Sequence, residues 1–219
     1  MKLSDRLKKD AQGIWQEIVD HPFVTELFEG TLPEDKFRHY VLQDYGYLIA
    51  SIRNFSVLAS RAGNERDMRE LVEIAALEAG GEFDGYRALL KEMGLTLEEA
   101  EAQQPGQAAV SYTGFLLSTS MLGAFEEGIT AVLPCYWSYA EMAAHHRKKI
   151  ARNKRELYRR WAGFYLEDGY LSLVERIKKL VDEAGAGFPY PRLRRVFLTS
   201  SRYEVMFWDS VYHGENTTT

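Results

Sequence analysis

The chain has 219 residues, 46% of them hydrophobic and 13% aromatic, which is enough to fill one sizeable core. A formal net charge of −5 argues against a nucleic-acid or anionic-membrane partner, and no run reaches the roughly 18 apolar residues of a membrane span. The start, Met1-Lys2-Leu3-Ser4-Asp5-Arg6-Leu7, lacks the apolar stretch of a signal peptide, and one cysteine fits a reducing compartment, so a soluble cytoplasmic protein is expected. Helical spacing then dominates in chain order. Leu3, Leu7, Ala11, Ile14, Trp15 and Ile18 form one apolar stripe that ends at His21-Pro22. A short helix through Phe23, Leu27 and Phe28 closes at Gly30, and Thr31-Leu32-Pro33-Glu34 opens a long one over about 34–62. Asn64 caps a helix predicted to run unbroken to about residue 93. Thr96-Leu97-Glu98-Glu99 has capping-box spacing, and Gln104-Pro105-Gly106 reads as a turn. Helices follow over about 107–121, 124–152, 154–164, 168–184 and 192–213, with breaks near Gly123 and at Gly185-Ala186-Gly187-Phe188-Pro189. Strand signals are nearly absent, so residues 1–214 read as a single all-α helical bundle domain, with a polar frayed tail over 215–219.

Bundle proteins build sites from side chains that point inward from facing helices. Tyr40, Asp44 and Tyr47 share one face, Cys135 and Tyr139 lie four apart, and Glu204, Phe207 and Trp208 share another face. Tyr112 lies among apolar neighbours. Pro134 stands inside the helix that carries Cys135, removing one backbone bond and opening it locally. Carboxylates on apolar faces must be paired, hydrogen-bonded or protonated. One reading therefore pairs Asp44 and Glu204 with arginines, Arg53 or Arg202 among them, in a register-fixing role; the other makes them chemical. The adjacent rings of His145-His146 point about 100° apart, poorly placed to share an ion. Glu73, Glu78, Glu82 and the pair Glu126-Glu127 read as solvated helix faces, so no metal is expected. No Gly-rich phosphate loop, Cys-x-x-Cys pair or Gly-x-Ser-x-Gly elbow occurs.

Three segments carry a resemblance. They are His21-Pro22-Phe23 through Gly30-Thr31-Leu32-Pro33 with Phe37, Tyr40 and Gln43-Asp44-Tyr45; Leu133-Pro134-Cys135 with Trp137 and Tyr139; and Phe197-Leu198-Thr199-Ser200-Ser201 with Tyr203-Glu204 and Phe207-Trp208-Asp209. In this order they resemble the TenA/THI-4 family, the thiaminase II or aminopyrimidine aminohydrolase group, of the cysteine-containing type. The resemblance implies a haem-oxygenase-like bundle without haem, no cofactor, assembly as a homotetramer, and a role in thiamin salvage. Implied substrates are 4-amino-2-methylpyrimidines carrying a thiazolium or an amine on the 5-methylene. By the same resemblance Cys135 is the nucleophile, Glu204 the acid/base at a ring nitrogen, and Asp44 the holder of the exocyclic amine that helps activate the thiol. Tyr47, Tyr112, Tyr139, Tyr165 and Phe207 would line or stack on the pyrimidine. Three departures bear on the leaving-group side: Gly46 beside Asp44, the polar stretch Ser118-Thr119-Ser120, and Gly163 near Tyr165.

The chemistry suits such a set. A pyrimidine carbon becomes electrophilic when the adjacent nitrogen is protonated, and a carboxylic acid with a raised pKa supplies that proton near neutrality. The thiol must lose its proton to attack, and no histidine is suitably placed by motif, so a carboxylate must take it. Two other readings remain: an oxidoreductase on the same fold, of the pyrroloquinoline-quinone-synthase or di-iron oxygenase kind, and a non-catalytic pyrimidine-binding or regulatory bundle. The first favours extra histidines and arginines facing the cavity; the second predicts an unreactive Cys135.

Overall fold

Thirteen α-helices and one π turn make up the fold, with no strand among the described residues. The computed structural model describes residues 1–214, so the frayed tail expected at 215–219 lies outside the described residues. In chain order the helices are α1 (Leu3–Asp10), α2 (Gln12–Asp20), α3 (Pro22–Glu29), α4 (Glu34–Arg61), α5 (Glu65–Leu77), α6 (Phe83–Glu92), α7 (Leu97–Ala102), α8 (Gln107–Leu122), α9 (Phe125–His145), α10 (Arg147–Arg152), α11 (Glu156–Phe164), α12 (Asp168–Ala184) and α13 (Tyr190–His213). None is long and apolar enough to cross a membrane.

The local signals act as their chemistry requires. Asn64 accepts the Asp67 N–H at the start of α5, and Thr96 and Glu99 exchange both bonds of a capping box before α7. Gly30 ends α3 at φ 83°, and a Cβ there would run into Asn153, whose amide donates to the helix-end carbonyls of Leu27 and Phe28 at 3.0 and 3.2 Å. The predicted single N-terminal helix is instead two. Ala11 takes φ −93°, ψ 3°, and its N–H reaches both Leu7 and Lys8 carbonyls, a tightened turn that re-aims the stripe. The segment 124–152 also divides at His146, whose buried ring contacts the Val19 carbonyl at 2.8 Å. The largest difference is inside the predicted helix 65–93, where a π turn, Glu78–Glu82, separates α5 from α6.

α9 is the central rod: fifteen of its residues are buried, and α12, α13, α8 and α2 pack around it. α4 and α13, the two longest helices, flank it. One continuous apolar core runs from Leu7 in α1 to Val211 in α13. Its centre is aromatic, with Tyr40 stacked on Trp208 at 5.5 Å and meeting Trp161 edge-on at 5.5 Å. Such pairs fix ring positions beyond what burial alone achieves.

Candidate active site

Three rods bring the expected residues together. α4 carries Asp44 and Tyr47, α9 carries Cys135, Ser138 and Tyr139, and α13 carries Glu204. Helix α9 runs through Pro134 without a break, contrary to the expected local opening. The missing proline N–H leaves the Thr130 carbonyl without its helical donor. The next carbonyl, Ala131, receives the Ser200 hydroxyl from α13 at 2.6 Å, so α13 braces this stretch.

Tyr40, Asp44, Tyr47, Glu78, Glu82, Cys135, Tyr139 and Tyr165 are among the walls of an inner chamber of about 40 Å³. A second, larger chamber of about 390 Å³ shares Asp44, Leu48, Glu82 and Tyr165 with it. Tyr139 lies 4.9 Å from Tyr165, which lies 4.9 Å from Tyr170, centroid to centroid. Flat, stiff rings of this kind suit a flat heterocycle and exclude bulk water. Behind the thiol stands Glu204, 1% exposed. Its carboxyl accepts a hydrogen bond from the Tyr112 hydroxyl at 2.5 Å, and the Cys135 thiol and Ser138 hydroxyl approach it too. Tyr112 is itself 3.0 Å from Ser200. Phe207 packs on Tyr40 and Trp208, at 6.0 and 5.8 Å, and lies outside both chamber walls, as do Tyr112 and Glu204.

Burial dominates the electrostatics. It pushes Glu204 up to about 7, against the donors Tyr112, Cys135 and Ser138 that pull it down. Burial, then the charges of Glu204 and Glu78, lift Asp44 to about 7, with Tyr40 opposing. The Cys135 thiol is driven well above its ordinary value by burial and by Glu204, Asp44 and Glu78, with Tyr47 opposing. No cation appears among these influences. Two carboxyls near 7 that repel each other titrate as a pair, so close to neutrality they hold about one proton between them. The site thus holds an acid, a base and a nucleophile at one pH.

The arginine-pairing alternative is overturned. Neither Asp44 nor Glu204 has an ion pair among the described residues, and Arg53 and Arg202 are exposed. Nine residues on, or two residues back, is the opposite side of a helix. The solvated-face reading fails for Glu78, 4% exposed, and for Glu127, 3% exposed. Glu78 accepts the Ser51 hydroxyl at 3.0 Å, while Glu127 binds Arg192 at 2.6 Å and the N–H of Ala124. Glu82 is half-buried and lines both chambers. Glu73 does face solvent, paired with Arg176. Gly80-Gly81 within a helical pattern is the signal that could have flagged this segment. Of the three departures, Ser118-Thr119-Ser120 lies away from both chambers, and a Cβ at Gly46 or Gly163 would meet nothing within 4 Å.

Comparison with known proteins places the chain as a whole. A solved TenA homologue protein from P. horikoshii OT3 is 43% identical, with a TM-score of 0.94 over 98% of this chain and 100% of that one. The Aminopyrimidine aminohydrolase of Halalkalibacterium halodurans is 31% identical over 97% of this chain and 96% of its own length. That of Helicobacter pylori is 31% identical over 98% and 100%. A domain with a heme oxygenase-like fold from Shewanella denitrificans OS217 superposes with a TM-score of 0.75 at 14% identity, a likeness of fold alone over 95% of this chain and 91% of that one. Residues 8–214 match the TENA/THI-4/PQQC family, so this chain belongs to the TENA/THI-4/PQQC family.

Proposed function

We propose that this protein is a hydrolase of 4-amino-2-methylpyrimidines substituted at the 5-methylene, acting in thiamin salvage through Cys135. The observation that carries the reading is a lone thiol on the wall of an aromatic chamber, in contact with a carboxyl poised near 7 and close to a second. The Aminopyrimidine aminohydrolase relatives point to the same substrate class. Asp44 holds the exocyclic amine, and Tyr47, Tyr139 and Tyr165 enclose the ring. Tyr112 orients Glu204, and Phe207 backs Tyr40. Glu204, carrying the proton of the pair, gives it to the ring nitrogen as Cys135 adds to the ring carbon, and the thiol proton passes to the acids in turn. Electrons then move through the ring to the methylene, the substituent departs, water replaces it, and loss of the thiol restores the aromatic ring. No cofactor enters this scheme. Exposed apolar side chains on α8, Val110, Met121 and Leu122, favour contact between copies and fit the homotetramer the family resemblance implies. A cytoplasmic setting fits a chemistry that needs a reduced thiol.

Product analysis tests the reading. Incubation with the 5-aminomethyl-pyrimidine and with thiamin should yield the hydroxymethyl-pyrimidine, and the ratio of kcat/KM values identifies the better substrate. Absence of that product from both rejects the reading. Tyr112→Phe removes a donor that holds Glu204 down, so the optimum of kcat/KM should move to higher pH. An unmoved pH profile contradicts the role given to Tyr112.

A further inference from the structure

Asp44, Leu48, Glu82 and Tyr165 line both chambers, which therefore lie side by side with these residues between them. The inner one holds the thiol; the outer one is walled by Tyr86, Trp161 and Phe164 and is roomy enough for a substituent. A ring lying against Cys135 with its methylene group turned toward these shared residues would carry its substituent on the side of the outer chamber. Of the two acids there, Asp44 serves the ring in the reaction above, and Glu82 is unused. The π turn puts it there. A π turn widens the helix by one residue, and such turns are frequent at functional sites. Its first residue, Glu78, binds Ser51 beneath Tyr136, while its last, Glu82, lines both chambers. Among the described residues Glu82 has neither an ion pair nor a hydrogen-bonded donor, and the guanidinium in the outer wall, Arg160, is bound to Glu92. Burial, with the charges of Glu78 and Asp44, lifts Glu82 to about 8, so it carries a proton at neutral pH.

We propose that Glu82, on the wall that the two chambers share, protonates a departing amine and then takes the proton of the water that replaces it. The inference rests on the hydrolytic reading given above. After the thiol has added, the methylene C–N bond breaks, its electron pair goes to nitrogen, and the Glu82 carboxyl supplies a proton, so the amine leaves neutral. Water adds its oxygen to the methylene carbon, and the proton it sheds returns to the Glu82 carboxylate. When the C–S bond breaks, its pair returns to sulfur and the ring regains aromaticity. Glu82 ends as it began. A thiazolium needs no such acid, because it leaves as a neutral thiazole simply by keeping the bonding pair.

The two leaving groups therefore separate the roles. In Glu82→Gln, release of ammonia from the 5-aminomethyl-pyrimidine should fall about 100-fold. Release of thiazole from thiamin, measured in the first turnover, should stay within a few-fold of the unaltered protein. Equal loss on both substrates, or loss on neither, overturns the role of Glu82 and leaves the hydrolytic reading standing. If the unaltered protein releases neither product, both fall together. A second measurement needs no variant. Across a series of pyrimidinylmethyl-amines of graded basicity, the unaltered protein should show a nearly flat rate, because a built-in acid compensates a poor leaving group. A steep fall with amine basicity overturns the proposal.

Discussion

Replacing the thiol in Cys135→Ser should lower kcat by about four orders of magnitude or more, because a nucleophile working as a unit with its acids cannot be removed in part. Cys135 is the only cysteine in the chain, and the carboxyls around it, Asp44, Glu78, Glu82 and Glu204, are suited to moving protons. A serine hydroxyl in the same surroundings meets the same burial and the same negative charges with a far less acidic proton. Affinity for an aminopyrimidine, measured by calorimetry, should stay within a few-fold, since Asp44, Tyr47, Tyr139 and Tyr165 are untouched. Turnover at the unaltered rate would remove covalent catalysis by this residue.

Glu204→Gln should cost about 10²- to 10⁴-fold in kcat/KM, the usual worth of a positioned acid or base. It should also change the shape of the pH profile. In the unaltered protein the active form is the singly protonated pair, so kcat/KM should peak near pH 7 and fall on both sides. The amide removes one member of the pair and one of the charges that raise Asp44. The residual activity should then follow a single ionisation, displaced below 7 but still above the ordinary aspartate range because burial and Glu78 remain. A variant that keeps the bell-shaped profile would show that Glu204 is not one of the titrating groups. Stability should move the other way. A carboxyl whose folded pKa is raised contributes stability that is complete below its unfolded value and is lost as pH rises through its folded one, here about 7. The amide has no such loss, so the melting temperature of Glu204→Gln should exceed that of the unaltered protein at pH 8. Functional carboxyls of this kind are held at the expense of stability.

Much of this frame was legible because it rests on local chemistry. The Asn64 cap and the Thr96 capping box follow from side chains bonding to their own backbone, which needs no partner from elsewhere, and α12, Asp168–Ala184, ends where Gly185 interrupts the apolar spacing. The spacing of Asp44 with Tyr47, and of Cys135 with Tyr139, likewise places each pair on one face of its helix. Events decided by a distant partner were hidden. The division at His146 depends on the carbonyl of Val19, and the burial of Glu127 on two arginines of α13. Spacing could not reveal the π turn either, because Glu78 and Glu82 sit four apart as they would on any exposed helix. The inward face of this turn is set by Ser51 and Tyr136, residues of α4 and α9. The second chamber arises from α4, α6, α11 and the π turn together, which no one segment announces.

The central claim is that the sulfur of Cys135 bonds to the substrate ring. Rapid-quench mass spectrometry of the unaltered protein, mixed with excess 5-aminomethyl-pyrimidine, tests it most directly. The account predicts a transient mass gain equal to the pyrimidine fragment, localised by peptide mapping to Cys135 and absent in Cys135→Ser. Product formation with Cys135 unmodified at every time point, and undiminished in the serine variant, would contradict it.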